Sequence, residues 1–471
     1  MSKVRIPFAG QPSSRLADID YDQRFVNCFP ESVQNPLTND AKIYLLKRDG
    51  LEYDSQPGGL AEGRAIQGWN GHIYSVVEDK VYEDGTEIGT LTTTTGIASF
   101  TEWTGANDYL VLLDGVKGYY ITTGGVMSEI SSANFPTPHV PKACYMDGYI
   151  FVQKSNGEIY NCDVGDPLTW SATSFITPES FPTIPVGLAR QNNLLVALGG
   201  SSCEFFYNAG LPVPGSPLGR NTQALIQYGC ASFGSVCEEE GLVVFVAQSA
   251  TGGKFVVAVE GTKDTNISTE AINRILYAEG TDIVDCWAYV TRMKGHLMYV
   301  LNLPAQSRTL VFDMQTKMWH EWEYFDGTTD GVMALADTTE FDDQQYGIHV
   351  GNGRIYRFSP DQYRDQEDLT TNNNIKVLIQ TVRIDGDSGN IKFLDRLEVL
   401  GDYPSTASEM RVYWSDNDYQ DWSTPRTMDL SQRSYIYRCG SFRRRAFRFY
   451  TEANAPIRLH AFELELRGGQ H

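Results

Sequence analysis

The densest chemical signal in this sequence is "GSFRRRAFRFY", residues 440–450, which places Arg443, Arg444, Arg445 and Arg448 within six positions. A guanidinium carries a fixed charge and a planar fork of donors, so it pairs carboxylate or phosphate oxygens two at a time. Such a run can dock on an acidic partner surface, lie near nucleic acid, or sit on a surface strand whose neighbour supplies carboxylates. The alternation predicts a strand: Phe447 and Phe449 fall on one face, Arg448 and Tyr450 on the other. Glu463 and Glu465 are expected on the next strand of a hairpin, where each cross-strand Arg–Glu pair contributes only about 0.2–1 kcal/mol.

Other reactive types are present without partners. Cys203 in "GSSCEFF" has Ser201 and Ser202 beside it but no histidine in a partner motif, and reads as a small buried strand residue. "DIDYD" (18–22) and "DGDSGN" (385–390) could offer oxygens to calcium, but neither has EF-hand spacing and both read as turns. Glu238, Glu239 and Glu240 read as a solvated loop face. The seven histidines show no metal-ligand spacing, and HExxH, GxSxG, Walker and GxGxxG motifs are missing. The expectation is a protein with no catalytic residues, no metal and no cofactor. Glycosidases need only two carboxylates, so a hydrolase stays open on this evidence alone.

The charge is unevenly placed. The chain of 471 residues carries −21 overall, yet residues 371–471 hold fourteen Lys and Arg against thirteen Asp and Glu. The first 370 residues therefore carry −22, a surface that repels phosphate. The change falls at "YRDQEDLTTNNNIK" (363–376), a polar stretch without periodicity, and predicts a boundary there. The N-terminus has no signal-peptide pattern, and runs such as "LVVFVA" (242–247) are too short to span a bilayer. The eight scattered cysteines read as reduced thiols of a protein made in a cytoplasm.

Seven stretches repeat one pattern, a short apolar strand, a turn and a second strand rich in Tyr, Phe or Val. They begin at residues 71, 107, 148, 193, 241, 295 and 345, at spacings of 36 to 54 residues. A hairpin alone cannot bury both faces, but stacked radially at this period it can, which predicts a β-propeller of six or seven blades over 61–365. Asp313 followed by Trp319, and Asp163 followed by Trp170, fit turns with a tryptophan wedged between blades. "STEAINRILYAEG" (268–280) predicts one inserted helix, with Ser268 as its N-cap. Residues 1–60 are expected to be an extended segment that starts the propeller and forms the adaptor-docking region. Residues 371–471 read as a β-sandwich, with Phe462, Leu464 and Leu466 on one face of the last strand and Glu463 and Glu465 on the other. "SDNDYQDWS" (415–423) looks like an Asp-box turn, a structural motif.

The order of these features resembles the tail nozzle family of short-tailed bacteriophages, also called packaged DNA stabilisation proteins or tail accessory factors. The resemblance is carried by "FVNCFPESV" (25–33), "GRAIQGWNGHIYSVVEDKVYEDGTEIGTL" (63–91), "LVALGGSSCEFFYNAG" (195–210), "STEAINRIL" (268–276) and "APIRLHAFELEL" (455–466), and fades through "NTQALIQYGCASFG". It implies an all-β virion protein, made in the host cytoplasm, without catalytic residues. It further implies a homo-hexameric ring below the portal and adaptor, handing the tail to a distal needle, fibre or spike. Packaged double-stranded DNA would pass through that ring without sequence-specific binding, helped by an acidic wall. The rival readings are a propeller glycosidase or polysaccharide depolymerase and a carbohydrate-binding propeller of the kelch type. A sialidase needs an arginine cluster on the propeller axis, whereas the arginines here lie mostly outside the repeats. Arg443, Arg444, Arg445 and Arg448 are expected to serve structure and subunit docking, not sequence-specific DNA binding.

Overall fold

The computed structural model describes residues 2–9, 23–34, 41–180, 183–212, 214–386 and 389–468. Each expected hairpin forms the middle of a four-stranded antiparallel sheet. In the first, His72–Val77 and Lys80–Glu83 pair with each other and are flanked by Gly63–Trp69 and Thr86–Thr90. The same meander recurs at 99–129, 144–176, 185–226, 229–266 and 287–322. The fifth sheet departs slightly, because a 3-10 turn at Phe233–Ser235 splits its first strand into Gly229–Cys230 and Cys237–Glu239. The seventh takes three strands from 335–359 and its fourth, Gly50–Ser55, from the other end of the chain, so both ends close the ring.

Local chemistry explains the repetition. Six of the seven sheets join their first two strands through only two residues, among them Asn70-Gly71, Asp147-Gly148, Glu240-Gly241 and Lys294-Gly295. The first turn residue has φ of 49–52° in every case. A tight turn of this hand matches the right-handed twist of the strands it joins, and glycine at the second place carries no Cβ to clash.

Alternation along each strand then gives two apolar faces, and each packs on a neighbour. Leu110 and Leu112 face the first blade, with Val76, while Val111 faces the third, with Val152 and Trp170. Six further residues show the pattern continuing: Leu195 and Phe206 meet the third blade, Val196 and Phe205 the fifth, and Val246 and Leu301 join the fifth to the sixth. Trp322 with Tyr356, and Ile66 with Ile348, complete the circle. Seven interfaces between seven sheets leave the ring without an open edge. Trp319 acts as the expected wedge, its Nε1 donating across to the Ile267 carbonyl at 2.8 Å.

The inserted helix is Glu270–Ala278, packed by Ile272, Ile275 and Leu276 on the cluster between the fifth and sixth blades. Its N-cap is Thr269, whose side chain accepts from Ile272 N, rather than the expected Ser268. Ser268 is already committed, donating to Asn266 and Asn273 and accepting from Val256 N, so it finishes the incoming strand.

Outside the propeller the strands of both chain ends interleave. Ser2–Pro7, Cys28–Gln34, Ala41–Lys47, Lys392–Gly401 and Arg458–Gly468 form one sheet, with two short strands at its edge. Arg24–Val26, Val377–Gln380, Ala446–Thr451, Glu409–Ser415 and Arg426–Asp429 extend the sixth blade into a nine-stranded sheet. The two sheets share one apolar cluster that includes Phe8, Phe25, Leu397, Val412, Phe449 and Phe462. Among the described residues before 60, Ser2–Pro7, Arg24–Val26, Cys28–Gln34 and Ala41–Lys47 are strands of these sheets and Gly50–Ser55 is a strand of the last blade.

A buried ionic cluster ties this region to the propeller. Arg48, fully buried, donates to both Asp365 oxygens at 2.9 and 2.6 Å, to Asn27 Oδ1 at 2.9 Å and to the Glu323 carbonyl at 3.2 Å. Asp365 Oδ1 also accepts from Leu51 N, in the closing strand of the ring. Beside it Lys294 pairs with Asp49 at 2.8 Å, and Lys47 donates to the Ala453 carbonyl, its ammonium pulled down to about 7 by burial and by Arg48.

Two predictions follow from this packing. Asp365→Asn leaves a buried guanidinium unpaired and is expected to cost about 3–5 kcal/mol, read from urea denaturation. Burial also holds His320 neutral down to about 3, and burial beside Arg354 holds His349 neutral down to about 4. Unfolded histidine takes its proton near 6.5, so the unfolded state binds more protons below that value and these residues make stability fall as pH drops towards 3–4. Asp337, raised to about 6, works in the opposite sense between 6 and the usual carboxylate value. His320→Leu should therefore narrow the difference in urea midpoint between neutral and mildly acid solution; an unchanged difference would show that His320 contributes nothing.

Candidate docking surface and axial cavity

The arginine strand is Ala446–Thr451 together with the turn before it. Its neighbours are Val377–Gln380 and Glu409–Ser415, whereas Arg458–Gly468 lies in the opposite sheet. The expected Arg448–Glu463 and Arg448–Glu465 pairs therefore do not form. The chain crosses from one sheet to the other at residues 452–457 instead of folding back in a hairpin, which lets Phe449 and Phe462 meet across the core. Glu463 pairs with Lys3, Arg5 and Arg396, and Glu465 with Arg396.

The four arginines divide into two kinds. Arg445 is buried, 1 % exposed, and donates to both Asp416 oxygens at 2.7 Å and to the Cys439 carbonyl at 2.6 Å. Its guanidinium lies over the rings of Phe442 and Trp414. Arg448 donates to Gln380 Oε1 at 2.8 Å and covers the Trp422 ring. Arg443 and Arg444 are exposed. The "SDNDYQDWS" turn supplies Asp416 to Arg445, Asp418 to Arg383 and Trp422 to Arg448, so the acidic loop organises the basic strand. Sequence reasoning found both stretches and did not join them, because their pairing is set by the sheet order.

The first strands of the first, second, fifth, sixth and seventh blades line a cavity of about 920 Å³ inside the propeller. Its cations are engaged. Lys142 pairs with Glu238 at 3.0 Å, and Arg292 with Glu239 and Glu240 at 2.9 and 2.8 Å. Arg64 donates to the carbonyls of Gly96, Glu78 and Thr93. Glu238 and Glu239 are thus on an inner blade strand, with ion-pair partners, and not on a solvated loop. Asp337 accepts from Ile66 N and Thr338 N. The cavity consequently offers carboxylates, more than free guanidinium, to anything entering it. Cys203 is buried in its strand, its thiol pushed up to about 12 by burial. Among the described residues no group of three or more His, Cys, Asp or Glu is placed to hold a metal ion. The "DIDYD" stretch lies outside the described residues, as do two positions of "DGDSGN".

Residues 4–347 match the family described as bacteriophage P22 Gp10, beta-propeller. The chain belongs to that family. It is a family of structural phage-tail proteins, and the matched span holds the first six blades and most of the seventh. No curated protein sequence matches the chain. Among solved structures it is similar to the N-terminal domain of Nup159, at 10 % identity and TM-score 0.40 over 71 % of this chain and 98 % of that one. It is also similar to a streptogramin B lyase (11 %, 0.39, 66 % and 97 %) and to BamB from Moraxella catarrhalis (9 %, 0.37, 76 % and 96 %). Likeness at that level carries no inference about function. Among the described residues no helix is long and apolar enough to cross a membrane.

The split among the arginines is testable on the purified chain. Arg445→Gln removes a buried charge-paired group and is expected to lower stability by about 3 kcal/mol, while Arg444→Gln should stay within about 0.5 kcal/mol. Equal effects in chemical denaturation would place Arg445 at the surface.

Proposed function

We propose that this tail protein is the nozzle of a short-tailed phage, a ring below the portal and adaptor that extends the DNA-ejection channel and helps retain the packaged genome. The family match over residues 4–347 is the observation that carries this reading. Six copies would form the ring, through contacts of one surface with a different surface on the next copy that close by rotation. The distal side would receive a needle, fibre or spike. Synthesis in the host cytoplasm fits the eight free, buried cysteines.

In this reading residues 61–365 are the working propeller body, and residues 371–471 are a β-sandwich completed by strands from the first 47 residues. The charge supports a passive channel: −22 on the first 370 residues repels phosphate, so DNA slides past without adhering. The engaged cations of the axial cavity likewise leave no guanidinium cluster for an acidic sugar. The protein on this view turns over no glycan, ester or phosphodiester.

The test is electron microscopy of tails and particles made with and without this gene product. Density for six copies around the tail axis below the adaptor, with loss of packaged DNA when the protein is missing, is the expected result. A two-fold dimer at another place in the particle, or hydrolysis of host surface polysaccharide by the pure chain that is lost on changing a cavity carboxylate, would overturn it.

A further inference from the structure

Ten of the fourteen cations of residues 371–471 are accounted for within the chain. Of the fourteen Lys and Arg, eight lie within ion-pair distance of a carboxylate. Lys392 and Arg448 are held by carbonyl and amide oxygens. Four remain without a carboxylate among the described residues: Arg426, Arg438, Arg443 and Arg444. All four are exposed, and the bond of Arg443 is to the Gly389 carbonyl.

Three of these lie beside Arg445 along the chain, and the fourth, Arg426, lies on the edge strand of the same sheet. Arg443 and Arg444 occupy the turn immediately before Arg445. Arg438 precedes Cys439, whose carbonyl Arg445 holds, and Arg426 opens the edge strand of the sheet that holds Ala446–Thr451, opposite Val412. Two aromatic side chains stand exposed beside them, Tyr437 at 57 % and Phe393 at 43 %. The short strand bearing Tyr437 and the one after it both pair with the strand bearing Phe393. Unpaired guanidinium next to exposed aromatic rings is the composition of a protein-binding surface.

We propose that Arg426, Arg438, Arg443 and Arg444, with Tyr437, form the face that docks on the acidic propeller surface of a second copy of this chain. This rests on the ring reading above and names the surface that reading needs. Charge decides the partner: the propeller side of every copy carries the chain's whole negative excess, and it would repel nucleic acid brought to the same molecule. Arg445 and Arg448 shape the face from within and do not reach the partner.

Sedimentation velocity of the full chain over a range of concentrations reads this directly. The wild type should self-associate at about 50 mM salt and dissociate towards about 300 mM, because exposed pairs are screened. The variant R426E/R438E/R443E/R444E should associate about tenfold or more weakly with unchanged circular dichroism and thermal midpoint, and the corresponding four-lysine variant should fall between. Association of the glutamate variant equal to wild type overturns the proposal, as does a wild type that stays monomeric throughout. Gel-shift binding of double-stranded DNA that depends on the four arginines, with self-association unaffected, overturns it in favour of a nucleic-acid face. Each of those failures leaves the tail position, read from particles, standing or falling by itself.

Discussion

The rest of the structure depends on one buried charge pair. Arg48 and Asp365 are 317 positions apart in the chain, and they meet where the ring is closed and where the outer sheets begin. Asp365 accepts the Leu51 amide, which aligns the closing strand, and Arg48 reaches Asn27 and the carbonyl of Glu323. Burying two ions is costly unless every donor and acceptor is met. Here the fork of the arginine is filled on both sides, so the arrangement admits little variation. Apolar packing could hold seven blades together, but it would not by itself specify which strand closes the last one.

The propeller and the two outer sheets bury their apolar faces in different ways. In the ring each blade covers its neighbour, and the seventh borrows a strand from the N-terminal side, so no apolar blade face is left without a partner. Outside the ring the sixth blade runs on into further strands through Val26, and the chain ends interleave. The ring and the outer strands are therefore joined through one continuous hydrogen-bonded sheet.

Charge is organised by the same logic. Most ions near the axis and in the outer sheets are paired within the chain, including the Lys142–Glu238 and Arg445–Asp416 pairs. What is left over is segregated, negative on the propeller and positive at one end of the outer sheets. Segregation of this kind is the feature on which the proposed contact between copies rests.

Much of this was legible in the sequence. The seven hairpins, their period, the wedge tryptophan and the acidic-to-neutral change near residue 370 depend on turn chemistry and alternation, which are local and survive in the linear order. The resemblance to the nozzle family rested on those same stretches. What the sequence left undecided was long-range. "LLKRDG" (45–50) places three charges after an apolar run, a signal of a buried network, but its partner Asp365 is 317 positions away from Arg48. The arginine strand looked like half of a hairpin with Glu463 and Glu465, because adjacent strands usually pair. Only the tertiary structure sends them to opposite sheets, since burying Phe447, Phe449 and Phe462 against one another outweighs the small gain from exposed ion pairs. Which arginines are structural and which are free was decided by that packing.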